Sequence, residues 1–177
     1  MSDTTEITSD RGRVESTPDG ARVVFRRTYP DPIEDVWSAV TEPERLQRWI
    51  GTWTGTPAVG GTVDFRMTAE GEDVPVEQVT ILACDPPRSL AIEWTLPDQP
   101  LWRVELSLAE ADQATGGTEL TFVHHMAGSP AGFANIGSGW QYYLDRLGAA
   151  LTGAGMPQFD GYLEQLADHY RAGPATT

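Results

Sequence analysis

A chain of 177 residues, 40% hydrophobic and 21% charged, is long enough to fold as one domain around a real core. Its formal net charge of -14 repels nucleic acid and polyanionic membrane surfaces, and its twelve basic residues are all arginine, which excludes Schiff-base chemistry on a lysine. One cysteine, Cys84, allows no intrachain disulfide and no cysteine-based metal site, and no stretch approaches the ~18 consecutive apolar residues of a membrane span.

Residues 1–11 read as a flexible polar tail without the apolar core of a signal peptide, which fits a cytoplasmic protein. Residues 12–172 read as a single domain and 173–177 as a short C-terminal tail. Thr17-Pro18-Asp19-Gly20 has the chemistry of a turn, so Gly12–Ser16 and Ala21–Tyr29 are predicted to pair as a hairpin. Asp31-Pro32-Ile33-Glu34 then opens a helix, with Asp31 as N-cap and Ile33, Val36, Trp37 and Val40 as its apolar stripe. Thr41 with Glu44 predicts a second short helix carrying Leu46, Trp49 and Ile50.

After Gly51 the hydrophobic period changes to two. Val63, Phe65 and Met67 alternate, then Val79, Ile81 and Ala83, then Leu90, Ile92 and Trp94. Trp102, Val104, Leu106 and Leu108 follow, and Leu120, Phe122 and His124 end the series. Short turns between these strands predict a curved antiparallel meander. The Gly- and Ala-rich stretch Met126–Ile136 reads as a mobile connection and a gate. From Ser138 to Leu151, Trp140, Tyr143, Leu144, Leu147 and Leu151 mark one face of a long helix, opened by a Ser138–Gln141 capping box and closed by Gly153. Phe159, Tyr162, Leu163, Leu166 and Tyr170 make a last helical stripe. The fold class is therefore α+β: a helix-grip, with a curved antiparallel sheet around a long C-terminal helix and two short helices after the first main strand.

The residues in this order resemble a known family. Arg26-Arg27-Thr28-Tyr29-Pro30, Val36-Trp37 and the run Thr41 to Trp49 are similar to the opening of the AHSA1-like branch (activator of Hsp90 ATPase homologue-like) of the SRPBCC superfamily. Pro57 to Gly61, Asp85 to Trp94, Gly117 to His124, and Gly139-Trp140 with Tyr143 to Leu147 match the same branch, over roughly residues 20–152. The superfamily also holds START-like lipid carriers, Bet v 1-like proteins and polyketide cyclases. The resemblance implies a cavity beneath the long helix. Hsp90 activators carry a further chaperone-binding domain for which the twenty leading residues leave no room, so a chaperone partner is not expected.

The expected occupant is a small apolar or aromatic ligand, held by burial of apolar surface with one or two polar groups to orient it. The residues expected to line its site are Trp37, Trp49, Phe65, Trp94, Trp102, Phe122, His124, Trp140, Tyr143, Leu144 and Leu147. Six tryptophans suit a stacking wall and suit a plain core equally well. His124 shares its parity with Leu120 and Phe122 and should point inward. There it could orient a ligand, move a proton in a cyclase or aromatase reaction, or be a satisfied core histidine. His125 should face solvent. No metal or other cofactor is expected: His124 and His125 point to opposite faces, and no HExxH or GxSxG is present. Cys84, at the end of a strand, is expected to be buried and inert. Glu93 and Glu105 should face solvent, and an inward carboxylate would be a functional lead. Besides binding, a metal-free cyclase using His124 and a protein-interaction module remain alternatives, and the sequence leaves a homodimer open.

Overall fold

Alternation of apolar and polar residues governs much of the chain and, among the described residues, produces eight strands in one antiparallel sheet. The computed structural model describes residues 6–114, 116–126 and 132–174. The strands are β1 (Arg13–Thr17), β2 (Gly20–Tyr29), β3 (Thr52–Thr54), β4 (Thr62–Arg66), β5 (Glu77–Asp85), β6 (Ser89–Thr95), β7 (Trp102–Glu110) and β8 (Thr118–Met126). They are ordered β1-β2-β8-β7-β6-β5-β4-β3. The meander thus runs from β3 to β8, and the first main strand β2 closes it by pairing with the last, Phe25 opposite Phe122. In β8 the alternation is complete: Thr118, Leu120, Phe122, His124 and Met126 are buried, and the residues between them are half exposed. Gly117, at the turn into β8, has φ +83° and lies against Tyr29 O, where a Cβ would stand 2.0 Å away. Only glycine combines that backbone conformation with that approach.

Two short helices, α1 (Ile33–Thr41) and α2 (Pro43–Leu46), link β2 to β3. Their starts differ from the expectation. Pro32, not Asp31, stands at the first N-cap, and neither helix has a side-chain cap. Thr41 Oγ1 donates back to Trp37 O at 2.7 Å and ends α1 rather than starting α2, which opens at Glu42-Pro43. Pro43, at the first position of α2, brings no N–H of its own that needs a partner.

The long helix α3 spans Phe133–Thr152, five residues earlier than the sequence indicated. Ser138 and Gln141 are therefore interior, and no capping box forms. Gln141 instead accepts from Tyr170 Oη and donates to Ser9 O. Residues 133–136 of the proposed gate belong to α3, while 127–131 lie outside the described residues. Gly153 ends the helix as expected, with φ +75° and its N–H donating to Ala149 O. The last helix, α4 (Tyr162–Arg171), buries Tyr162, Leu166 and Tyr170 against the back of α3, while Leu163 and Phe159 stay exposed. The result is the helix-grip: a curved sheet around one long helix, with short helices at the rim.

Candidate functional site

The sheet and α3 do not meet everywhere. Inward side chains of β4 to β8 and the residues of α1 and α2 enclose a cavity of about 510 Å³. Its lining is almost wholly apolar; among the described residues Glu42 and Cys84 are its only ionisable groups. Six of the expected residues lie on it: Trp37, Trp49, Phe65, Trp94, Phe122 and Trp140. Trp53 and the aliphatic set Val63, Val79, Ile92, Val104 and Leu106 complete the wall.

The tryptophans are held rather than merely packed. Trp49 Nε1 donates to Ala39 O at 2.9 Å and Trp53 Nε1 to Thr41 O at 2.8 Å. Trp94 Nε1 donates to Glu77 Oε2 and Trp140 Nε1 to His124 Nδ1, each at 2.7 Å. Turning any of these rings into the void would leave a buried donor and acceptor unpaired, at a cost of about 1–3 kcal/mol. That opposes collapse of the cavity.

Trp94 and Trp140, 6.3 Å apart between centroids, also form a partition. Behind it lies a second cavity of about 510 Å³, lined by Glu70, Glu77, Trp102, Tyr142, Tyr143 and Phe159 among others. A third, of about 450 Å³, shares Gln99, Trp102, Asn135 and Ile136 with the second and reaches His124. Two expected residues, Trp102 and Tyr143, thus stand behind the partition. Leu144 and Leu147 line none of the three and are 1% and 0% exposed in the core. They lie one and two turns past Trp140, where α3 comes against α1 and β2.

His124 points inward, as its parity required, and is fully buried. An indole N–H only donates, so Nδ1 must be the bare nitrogen and Nε2 carries the proton. Nε2 has no partner. Burial, reinforced by the neighbouring charge of His125, lowers its pKa from 6.5 to about 4, so the ring is neutral near pH 7. His125 faces outward and pairs with Glu105 Oε2 at 3.1 Å. Burial alone would raise the Glu105 pKa, but hydrogen bonds from His125 and Arg103 bring it below the usual value.

Glu77 is the inward carboxylate that the sequence reading named as a lead without locating. It is 9% exposed, and burial, opposed by the Trp94 hydrogen bond and reinforced by Glu70, raises its pKa. The signal was its parity with Val79 and Ile81 on one strand. Tyr143 donates its hydroxyl to Glu70 Oε1 at 3.0 Å; burial first, then that carboxylate, raises its pKa strongly. Cys84 corrects an expectation: it is exposed and lies on the apolar cavity. A β-bulge between Ile81 and Ala83 shifts the register, so Cys84 rather than Ala83 joins Ile81 on the cavity lining. Its pKa is nonetheless raised, by burial and by Asp85. Among the described residues no cluster of His, Cys, Asp or Glu could hold a metal ion, and no helix is long and apolar enough to cross a membrane.

A helix-grip with an apolar chamber under its helix defines a protein of the SRPBCC class. The chain belongs to the family of activator of Hsp90 ATPase homolog 1-like proteins, whose model matches residues 31–152. Among solved structures it is similar to CalU16 from Micromonospora echinospora, at 28% identity and a TM-score of 0.71, covering 94% of this chain and 98% of that one. The protein encoded by gene BPP1335 of Bordetella parapertussis gives 25% identity and a TM-score of 0.71, covering 94% and 93%. DynU16, from the dynemicin biosynthetic locus, shares the fold at 23% identity and a TM-score of 0.62, covering 78% of this chain and 50% of that one. No curated protein matches the chain.

Proposed function

We propose that the protein binds a small apolar or aromatic molecule in the chamber between the sheet and α3. The observation that carries this reading is the unfilled 510 Å³ cavity whose tryptophan walls are hydrogen-bonded in place. Burying apolar ligand surface there supplies roughly 25 cal/mol per Å² before the costs of association. Flat rings suit walls of Trp37, Trp49, Trp94 and Trp140, which offer both faces and edges for stacking. Membership of the family supports a ligand-binding role of this kind.

Binding is favoured over acid–base catalysis in this chamber. His124 does not line it, and its Nδ1 is already engaged by Trp140. A cyclase reaction there would have Glu42 and the Cys84 thiol as its only ionisable groups among the described residues. The test is thermal unfolding against fatty acids, sterols, flavonoids and aromatic polyketides. A ligand at a hundred times its Kd adds about 2.7 kcal/mol of stability. Ile92→Trp, which puts an indole into the chamber, should weaken or abolish the response; a response undiminished in this variant would overturn the assignment.

A further inference from the structure

The cavities behind the Trp94–Trp140 partition have a different chemistry. At one end Glu77 forms the floor and the exposed Glu70 the rim, with no Arg or His among the described residues that line this cavity. The walls between them are aromatic: Trp102, Trp140, Tyr142, Tyr143 and Phe159. A carboxylate taken out of water is expensive unless a cation joins it, and rings around it offer the electron-rich faces that attract one. At the other end, where Trp102, Asn135 and Ile136 continue the wall, the described residues of the lining include no Asp or Glu. There the N–H of His124 Nε2 is fully buried and has no acceptor among the described residues. Trp140 cannot satisfy it, because its indole occupies Nδ1 on the other side of the ring.

We propose that this compartment is a second binding site, separate from the apolar chamber, for an aromatic ammonium ion that also carries a carbonyl-type acceptor. The ammonium sits against Glu77 and Glu70, the ring lies against Trp102 and the α3 tyrosines, and the acceptor takes the hydrogen bond from His124 Nε2–H. Each end completes a polar group that the protein leaves open: a buried carboxylate without a cation, and a buried donor without an acceptor. The negative field of a chain with net charge -14 draws such a cation toward the rim.

The experiment uses three small probes: 4-(aminomethyl)benzamide, which has both groups, benzylamine, which lacks the carbonyl, and 4-methylbenzamide, which lacks the ammonium. Calorimetry should show the first binding most tightly. Glu77→Gln keeps an acceptor for Trp94 Nε1 but removes the charge, and should weaken the two ammonium probes tenfold or more while sparing 4-methylbenzamide. In ¹⁵N-histidine-labelled protein the Nε2–H resonance of His124 should move with either amide and stay in place with benzylamine. Ile92→Trp, which blocks the apolar chamber, should still bind the first probe. Equal affinity of wild type and Glu77→Gln for benzylamine, or an unmoved His124 resonance at saturation, overturns the proposal, as does the absence of binding in wild type.

Discussion

The two sides of α3 are built on opposite principles. Toward the sheet, Trp140 faces open space on either side and is held by one hydrogen bond to His124. Toward α4, the helix is packed until no room remains: a Cβ at Gly137 would stand 2.2 Å from Tyr170 Cγ. The polar groups follow the same division. Behind the helix most of them satisfy one another: Tyr170 Oη accepts from Gly12 N and donates to Gln141, and Asp145 receives Ser9, Arg27 and Tyr162, while Ser138 Oγ is buried without a partner among the described residues. In front, among the described residues, His124 Nε2 goes unpaired and Glu77 has no cation. The back of the helix is built for stability, and the front gives some of it up for space that a ligand can occupy.

Substituting the tight side should hurt most. Gly137→Ala forces Tyr170 out of its seat and is expected to lower stability by about 3 kcal/mol, toward the upper end for overpacking. Chemical denaturation gives the value, and a loss below about 1 kcal/mol would mean that α4 shifts easily.

Acid should act on the open side. The folded state resists protonation of His124 down to about pH 4, while the unfolded chain takes that proton near pH 6.5. Its contribution is therefore complete above pH 6.5 and is lost as the pH falls toward 4, by roughly 3 kcal/mol in all. Unfolding of wild type and His124→Asn should converge over that range; parallel pH profiles would show that His124 takes up its proton as readily in the folded protein as in the unfolded chain.

A smaller effect follows at Tyr170→Phe. It removes the acceptor of the Gly12 N–H and the donor to Gln141, leaving buried groups unpaired, for a loss of about 1–3 kcal/mol. The smallest change in stability belongs to Ile92→Trp, because its added volume enters existing space: less than about 1 kcal/mol, against the larger loss for one methyl group at Gly137. If the two variants lose equally, the contrast between the sides of α3 is wrong.

The pattern of the chain carried much of this architecture and part of the site. Period-two alternation located the strands, and in β8 it correctly turned His124 inward. The start of α3 was not legible, because Phe133 to Gly137 includes Ala, Asn and Gly, which look like a loop in isolation. That glycine is there to admit Tyr170, which lies 33 positions further along the chain. The place of Cys84 on the cavity lining was hidden for a similar reason: a bulge changes parity without changing composition. Glu77 could have been read, since it keeps step with Val79 and Ile81, yet its parity alone said nothing of a partner.

By itself the sequence determined the fold class, the family and which face of each strand and helix is apolar, because these follow from local spacing and from turn chemistry. Tertiary structure decided what those apolar faces enclose. Two helical stripes that both carry aromatics became a filled interface with α4 and an open chamber against the sheet. The difference lies in long-range geometry: how far the sheet curves, where the bulge falls in β5, and which buried group receives each indole N–H.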